Sequence, residues 1–232
     1  MALINLFLMI LLGIYCTNIT MLKIAHRGFS GKYGDNNLES FNQAIEHGFD
    51  MVELDIQMCK SGEIVVYHDR YIDNELIINL PISKIQSHGI ITLETFFEHI
   101  KPSSIKLFLD IKDDYGICPI LVDMLTTKFK QQEMENIFIS SFHRDVMNQL
   151  KCMDLPAKLG FTTYNDFTIL ELKHLMKGLH YICIDWTVLN KERVGYLQSN
   201  GYMVFSCTCK NELILGHMKK FELDGIVTDI LF

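Results

Sequence analysis

The sequence predicts an α/β fold, a (β/α)8 TIM barrel with a short insertion after the second strand. Three observations support this prediction. Eight short apolar runs of strand-like composition recur after residue 21, and amphipathic helical stretches separate them. Polar and charged residues stand at the ends of the early runs, which is where a barrel places its active site. The length of 232 residues is typical of a single barrel domain.

The predicted strands alternate with helices along the whole of this region. The eight strands are residues 22–25, 51–57, 105–112, 136–142, 158–163, 181–186, 203–208 and 225–228. Between them apolar residues recur at helical spacing, as they do from Leu93 to Ile100. Eight alternations of this kind favour a closed barrel over an open sheet.

Residues 67–91 interrupt the alternation. A further short strand at residues 64–67 leads to His68, and a loop-rich segment with Pro81 and Gly89 follows it. We therefore expect a small insertion after the second strand. Because it is short, we expect the neighbouring pocket to be open.

Residues 1–20 precede the predicted barrel, which we assign to residues 21–232. Residues 2–15 are almost wholly apolar. This run is shorter than the ~20 residues of a membrane span and is typical of the apolar part of a signal peptide. However, no Lys or Arg precedes it, and no clear cleavage motif follows it.

Three interpretations of residues 1–20 remain open. The first is a signal peptide or an uncleaved anchor, with membrane association through residues 2–15. The second is a translation start at Met21, and the third is a helix packed near the first and last strands. The first interpretation predicts a secreted or membrane-associated protein, and the second predicts a cytoplasmic one.

The composition indicates a globular core. Hydrophobic residues make up 49% of the chain, and the net charge is −7, which argues against nucleic acid as a partner. The seven cysteines are odd in number, and their spacing matches no zinc site. We expect them to be buried free thiols.

Three carboxylates stand near the ends of the second and third predicted strands. Alternate side chains of a strand share a face, so Glu53 and Asp55 point the same way, as do Asp110 and Lys112. Crowding Glu53, Asp55 and Asp110 together would keep one of them protonated unless a cation lay between them. A hard cation with oxygen ligands, Mg²⁺ or Ca²⁺, meets this requirement. The alternative is a solvated edge strand, but the histidine motifs at matching strand ends make it less favoured.

Two histidines and two cationic side chains accompany these carboxylates. His26 and Arg27 follow the first predicted strand, His68 follows the extra strand, and Lys112 ends the third. Arg and Lys donate to phosphate oxygens, and an imidazole exchanges protons near neutral pH. This set of residues is suited to the handling of a phosphate ester with a divalent metal.

These segments resemble the glycerophosphodiester phosphodiesterase family, whose hallmarks are His-Arg-Gly, Pro-Glu-Asn-Thr, Glu-x-Asp, His-Asp and Glu-x-Lys. The corresponding segments here are His26-Arg27-Gly28, Gly34-Asp35-Asn36-Asn37, Glu53-Leu54-Asp55, His68-Asp69 and Asp110-Ile111-Lys112. The resemblance extends from about Leu22 to Asp229, where residues 224–229 are similar to the family's closing strand. It implies metal-dependent hydrolysis of glycerophosphodiesters to an alcohol and glycerol phosphate, in lipid and glycerol metabolism.

The resemblance also implies a role for each residue of the pattern. The implied roles are a catalytic acid–base pair, His26 and His68; three metal ligands, Glu53, Asp55 and Asp110; two phosphate-binding residues, Arg27 and Lys112; and two supporting carboxylates, Asp35 and Asp69. The implied nucleophile is water or the glycerol hydroxyl of the substrate.

Three departures from the family pattern leave alternatives open. Asp35 and Asp110 stand where the family has Glu, and the shorter side chain draws each carboxylate back by ~1.5 Å. The family's Trp-Thr-Val-Asn appears as Cys207-Thr208-Cys209-Lys210, which predicts the loss of an aromatic wall of the pocket. One alternative is therefore a lipid phosphodiesterase, a lysophospholipase D or an enzyme of the sphingomyelinase D type, with a lysophospholipid as its substrate. The other is a catalytically weak barrel that binds phosphodiesters.

Overall fold

The computed structural model describes residues 21–113 and 116–232. The strands, in chain order, are β1 (Leu22–Ala25), β2 (Met51–Met58), β3 (Ile64–Val66), β4 (Tyr71–Ile72), β5 (Glu75–Leu76), β6 (Lys106–Ile111), β7 (Ile137–Ser141), β8 (Lys158–Thr163), β9 (Tyr181–Asp185), β10 (Met203–Cys209) and β11 (Gly225–Thr228). The α-helices are α1 (Ser30–Tyr33), α2 (Leu38–Glu46), α3 (Ile82–Gln86), α4 (Leu93–His99), α5 (Ile117–Lys128), α6 (Gln131–Met134), α7 (Arg144–Lys151), α8 (Ile169–Leu175), α9 (Lys191–Ser199) and α10 (Glu212–Met218).

Eight parallel strands close into a barrel. Strand β1 pairs with β11 on one side and with β2 on the other, and β6 to β10 complete the circle. Helices lie between successive barrel strands and pack against the outer face of the barrel. The predicted (β/α)8 barrel is confirmed, and each of its strands begins and ends within one residue of the predicted bounds.

The insertion lies after β2, as predicted. Strand β3 pairs antiparallel with the end of β2, with Val66 opposite Ile56, and the hairpin β4–β5 and helix α3 follow. This segment has a small apolar core of its own, which contains Val65, Ile77 and Ile85. The insertion therefore holds its position beside the barrel through packing of its own.

The lower half of the barrel interior is filled by aromatic side chains. The ring of Tyr181 is fully buried, and its centroid lies 5.5 Å from that of Phe108, 5.3 Å from that of Phe138 and 5.1 Å from that of Phe205. A Cβ atom at Gly160 would overlap the Tyr181 ring, so glycine makes room for it. Two residues after Phe108 and Phe138 the inward-facing side chains are the polar Asp110 and Ser140, which places a site above this aromatic floor.

The cysteine prediction is confirmed at five positions and wrong at one. Among the described residues Cys59, Cys118, Cys183, Cys207 and Cys209 are buried free thiols, whereas Cys152 is exposed. Cys152 is exposed because it caps the C-terminal end of helix α7, at the surface of the barrel.

The predictions for residues 1–20 fall outside the described residues. The boundary at residue 21 and the targeting or packing role of this segment therefore stay predictions. Within the described ranges, no helix combines the length and the apolar character needed to cross a membrane.

Candidate active site

Three carboxylates meet where β2 and β6 lie side by side. Asp55 and Asp110 are opposite each other in the parallel register, and Glu53 lies two residues before Asp55 on the same face. All three side chains are buried, and one oxygen from each lies within 4.8 Å of the other two. The structure thus brings together the three residues that the sequence predicts as metal ligands.

Neutral hydrogen-bond donors orient two of these carboxylates. The amide Nδ2 of Asn36 donates to Oδ2 of Asp55 at 2.8 Å, and the backbone N–H of Asp55 donates to Oδ1 of Asn36 at 3.2 Å. The Ser140 hydroxyl donates to Oδ1 of Asp110 at 3.1 Å. Oγ1 of Thr162 lies 2.6 Å from Oγ of Ser140. Because these partners are buried, they hold the carboxylates in one orientation.

Two cations lie against the cluster. Nζ of Lys112 is 2.5 Å from Oδ2 of Asp110 and 2.7 Å from Oδ1 of Asp55. Nε of Arg27 is 3.1 Å from Oδ2 of Asp55, while its Nη1 donates to Oδ2 of Asp35 at 2.7 Å. Lys112 therefore bridges two carboxylates, and Asp35 restrains the outer end of the Arg27 guanidinium.

The turn after β1 brings Arg27 to Glu53. The backbone N–H of Arg27 donates to Oε2 of Glu53 at 2.8 Å, and the N–H of Gly28 donates to the Glu53 carbonyl at 3.2 Å. Gly28 has a φ of 79°, and a Cβ atom there would overlap Oγ of Ser40 in helix α2. The glycine of the His-Arg-Gly motif is required because only glycine fits this turn against the helix.

The charges shift the pKa values of the cluster in opposite directions. Burial raises the pKa of Glu53 well above its usual range, and the charges of Asp55 and Asp110 add to this rise. Burial would also raise the pKa of Asp55, but Lys112 and Arg27 outweigh it and lower that pKa to about 2. Burial opposes ionisation of Lys112, but the surrounding carboxylates raise its pKa. The cluster thus sets three carboxylates against two cationic side chains, and Glu53 is the carboxylate whose pKa is raised.

The donor set fits a divalent cation. Glu53, Asp55 and Asp110 supply buried carboxylate oxygens within 4.8 Å of one another, and Mg²⁺ and Ca²⁺ prefer oxygen ligands of this kind. A cation at this point would counter both causes of the raised pKa of Glu53, which are its burial and the charges of Asp55 and Asp110. The cluster therefore supports the predicted divalent cation as cofactor, and both metals fit the ligand chemistry.

Each of the two predicted catalytic histidines pairs with an aspartate. Nδ1 of His26 donates to Oδ1 of Asp229 at 2.6 Å, and the Ser30 hydroxyl donates to the same oxygen at 3.2 Å. Nδ1 of His68 donates to Oδ1 of Asp69 at 2.8 Å. In both pairs the aspartate sets the tautomer and leaves Nε2 as the nitrogen that can exchange a proton with a ligand.

One cavity at the C-terminal end of the barrel collects most of the predicted site residues. Those lining it are His26, Arg27, Glu53, Asp55, His68, Asp110 and Lys112. The two predicted supporting residues, Asp35 and Asp69, contact Arg27 and His68 instead. The geometry is compatible with every predicted role, and the roles themselves stay predictions.

Several partners of these residues were not predicted from the sequence. Asp229 lies next to His26 because Ala25 of β1 pairs with Thr228 of β11, although the two side chains are 203 positions apart in sequence. Asn36 and Ser140 were not assigned roles. For Asp229 and Ser140 a usable signal was present, since each is a polar residue at or near the C-terminal end of a barrel strand.

The wall of the cavity at β10 carries no aromatic side chain, in agreement with the sequence. Cys207 of β10, which stands where the resemblance expects a tryptophan, lines the cavity as a small side chain. Phe142 and Tyr164, which follow β7 and β8, line another part of it. The cavity therefore retains aromatic lining, supplied by different strands.

Comparisons with known proteins agree with this geometry. The family described as "Glycerophosphoryl diester phosphodiesterase family" matches residues 26–231. A glycerophosphodiester phosphodiesterase of Caldanaerobacter subterraneus subsp. tengcongensis is 28% identical over 229 residues, which cover 90% of this chain and 93% of the relative. Two solved structures share the fold over 90% of this chain and 92% of their own. They are a phosphodiesterase of Oleispira antarctica in complex with the product sn-glycerol-3-phosphate, with a TM-score of 0.78 and 23% identity, and a glycerophosphodiester phosphodiesterase of Parabacteroides distasonis, with a TM-score of 0.79 and 22% identity.

Proposed function

Because the chain belongs to the glycerophosphoryl diester phosphodiesterase family, we propose that it hydrolyses glycerophosphodiesters to an alcohol and glycerol phosphate with the help of a divalent cation. It is an enzyme of the phosphoric diester hydrolase class. One observation carries the proposal: the three carboxylates, two cationic side chains and two histidines line a single cavity.

Glu53, Asp55 and Asp110 are the residues that would hold the divalent cation. A cation held by these residues would supply positive charge to the phosphate oxygens of the substrate. Their burial supports this role, because buried carboxylates need a positive partner. The fixed orientations of Asp55 and Asp110 give the ligand set a defined geometry before the cation arrives.

Arg27 and Lys112 bind and orient the phosphate. The planar guanidinium of Arg27 is held between Asp35 and Asp55, so one edge is fixed and its remaining donors can meet two phosphate oxygens. The Lys112 ammonium has three donors and directs two of them to Asp55 and Asp110. Its third N–H would donate to a phosphate oxygen of the substrate.

His26 and His68 act as the acid–base pair. The aspartate at Nδ1 keeps each neutral imidazole in the tautomer whose Nε2 accepts a proton. One histidine removes the proton from the nucleophile. If the nucleophile is water, glycerol phosphate forms directly. If it is the glycerol hydroxyl of the substrate, a cyclic phosphate forms first, and water then opens it to glycerol phosphate. The other protonates the leaving oxygen, so that the alcohol departs as a neutral molecule.

A substrate and metal matrix tests this function. We expect the purified full-length chain to hydrolyse glycerophosphocholine in Mg²⁺ or Ca²⁺ and to lose that activity in EDTA. The His26→Ala variant serves as the matched inactive control. Faster release of choline from lysophosphatidylcholine would favour the lipid phosphodiesterase alternative. Binding of glycerophosphocholine without turnover would favour the catalytically weak barrel, and turnover undiminished by EDTA would contradict the metal requirement.

We also propose, from the sequence alone, that residues 1–20 act as a targeting peptide or anchor. A variant that begins at Met21 tests this proposal. We expect it to be stable and active but altered in its distribution between soluble and membrane fractions. Loss of stability on removal of residues 1–20 would favour a helix packed on the barrel.

A further inference from the structure

His68 lies in an irregular segment that follows the end of β3. The N–H of Tyr67 still donates to the Asp55 carbonyl at 3.0 Å, but residues 68–70 belong to no strand or helix. The His68 side chain nevertheless lines the cavity that contains the carboxylate cluster. Its position there therefore needs a support other than the hydrogen bonds of the sheet.

The side chain of Gln57 supplies such a support. Gln57 is buried and lies on the face of β2 that also carries Asp55. Its Nε2 donates to the Tyr67 carbonyl at 2.8 Å and to the Asp69 carbonyl at 2.8 Å. An amide NH₂ has two N–H groups, so this one side chain satisfies the carbonyls on both sides of His68.

The two hydrogen bonds hold a bend in the backbone at His68. Both carbonyl oxygens lie 2.8 Å from one nitrogen, so they are closer together than the ~6.6 Å between equivalent atoms two residues apart in a strand. Without the Gln57 donors, the two carbonyls would have to turn towards other partners or towards water. The direction of the His68 imidazole therefore depends on Gln57.

Arg70 provides a second contact at the far end of the segment. Its Nη2 donates to the Lys112 carbonyl at 2.5 Å and lies 2.7 Å from Nε2 of His143. Arg70 is exposed, so water competes for these contacts. Gln57 is thus the buried anchor of the segment, and Arg70 is a solvated one.

We propose that Gln57 is a positioning residue for proton transfer by His68. Gln57 does not line the cavity, so it acts through the histidine and not on the substrate. It fixes the imidazole relative to β2, the strand that carries two of the proposed metal ligands. Proton transfer needs the imidazole within ~3 Å of its partner, so a small displacement lowers the rate. The inference rests on the proposed function, because it assigns a role in the same reaction.

Gln57→Met removes both N–H donors and keeps a side chain of similar length. We expect kcat for glycerophosphocholine to fall by about 10- to 100-fold, the effect of a misplacement of about 1 Å, with KM changed by less than about twofold. KM should be retained because Arg27 and Lys112 keep their contacts with the carboxylates. An unchanged kcat would overturn the inference, as would a loss that lies mainly in KM.

A double-mutant cycle with His68→Ala locates the effect. Because Gln57 acts through His68, Gln57→Met should cause little further loss of kcat in the His68→Ala variant. A merely structural role would lower kcat equally in both backgrounds, and that result would overturn the inference. If Gln57→Met does not fold, Gln57→Asn replaces it in the cycle. Its amide is one methylene shorter and cannot reach both carbonyls.

Gln198→Met is the matched control. Nε2 of Gln198 also donates to two oxygens, the Glu222 carbonyl at 2.9 Å and Oδ2 of Asp224 at 3.1 Å, but Gln198 lies in α9 and does not line the cavity. Its replacement should leave kcat unchanged. Equal losses of kcat in Gln57→Met and Gln198→Met would show that the loss of any such amide lowers activity, and would overturn the inference.

NMR spectra of the histidine rings test the positioning without turnover. Absence of turnover by the wild-type chain would contradict the proposed function but leave this test open. We expect Gln57→Met to shift or broaden the ring signals of His68 and to leave those of His26 in place, with both assigned from the His→Ala variants. Gln198→Met should move neither set. Unchanged His68 signals in Gln57→Met would overturn the inference.

Discussion

The two histidine–aspartate pairs place the same chemical unit in two different environments. In the first pair His26 follows β1 and Asp229 follows β11, and their side chains are 15% and 21% exposed. In the second pair His68 and Asp69 are neighbours in sequence at the start of the insertion, and their side chains are 41% and 56% exposed. The first pair depends on closure of the barrel, whereas the second needs only local chain geometry.

This difference bears on how firmly each imidazole is held. Asp229 also accepts a hydrogen bond from Ser30, so two donors fix its carboxylate. Burial would raise the pKa of Asp229, but the hydrogen bonds from His26 and Ser30 lower it. The hydrogen bond of the exposed pair is weakened by competing water. We therefore expect His26 to depend on its aspartate more strongly than His68 does.

Replacing either histidine should lower kcat more than any other change, and the loss should be similar for the two pairs. His26→Ala and His68→Ala are each expected to lower kcat by about 10²- to 10⁴-fold, because each removes one proton-transfer group. Assays of glycerophosphocholine hydrolysis measure the loss, and circular dichroism verifies that the variants fold. A rate near wild type in either variant would show that its histidine does not take part in proton transfer.

Replacing the aspartates should separate the two pairs. Asp229→Asn is expected to lower kcat by about 10- to 100-fold, as loss of a carboxylate partner does for other functional histidines, and Asp69→Asn by less than tenfold. The reason is the burial of the first pair and the solvation of the second. Steady-state kinetics over a range of pH values measure both. Equal losses of kcat in the two variants would contradict the expected difference between the buried and the exposed pair.

The stability of the protein should depend on pH through the buried pair. Because the pKa of Asp229 is lowered on folding, its ionised form stabilises the protein above the pKa of the unfolded carboxyl, about 3.9, and this contribution is lost as the pH falls through the lower folded pKa. Asp229→Asn should therefore reduce the free energy of unfolding at pH 7 by about 1–2 kcal/mol, and the difference from wild type should shrink below about pH 4. Urea titrations at several pH values test this, with Asp69→Asn as control. A difference from wild type that stayed constant down to pH 2 would contradict it.

Removing the Ser30 hydroxyl, the second hydrogen-bond donor to Asp229, should have the smallest effect on stability and on kcat. Ser30→Ala deletes the hydroxyl that donates to Asp229 but leaves the His26 contact in place. We expect a loss of about 0.5 kcal/mol in unfolding free energy and a small decrease in kcat. Thermal unfolding and the same assay measure these changes. A loss as large as that of Asp229→Asn would mean that Ser30, and not His26, is the main partner of the carboxylate.

Much of the fold and part of the site could be predicted from local sequence. Strand and helix periodicity is a short-range property, so the barrel strands were located to within one residue. The two-residue spacing of Glu53 and Asp55 places both on one face of β2 in any register. The contact of His68 with Asp69 is equally local. The same alternation places Asp110 near the end of β6 and Lys112 just after it on one face.

The contacts between distant segments were decided by the tertiary structure alone. Asp229 reaches His26 only because β11 closes against β1, and Ser140 reaches Asp110 only through the pairing of β6 with β7. The sequence predicted the loss of an aromatic side chain at β10, but it did not predict that Phe142 and Tyr164, which follow two neighbouring strands, stack beside the same cavity. Periodicity fixes which face of a strand a side chain occupies. Closure and register of the barrel fix which side chains from other strands it meets, and these depend on the packing of the whole chain.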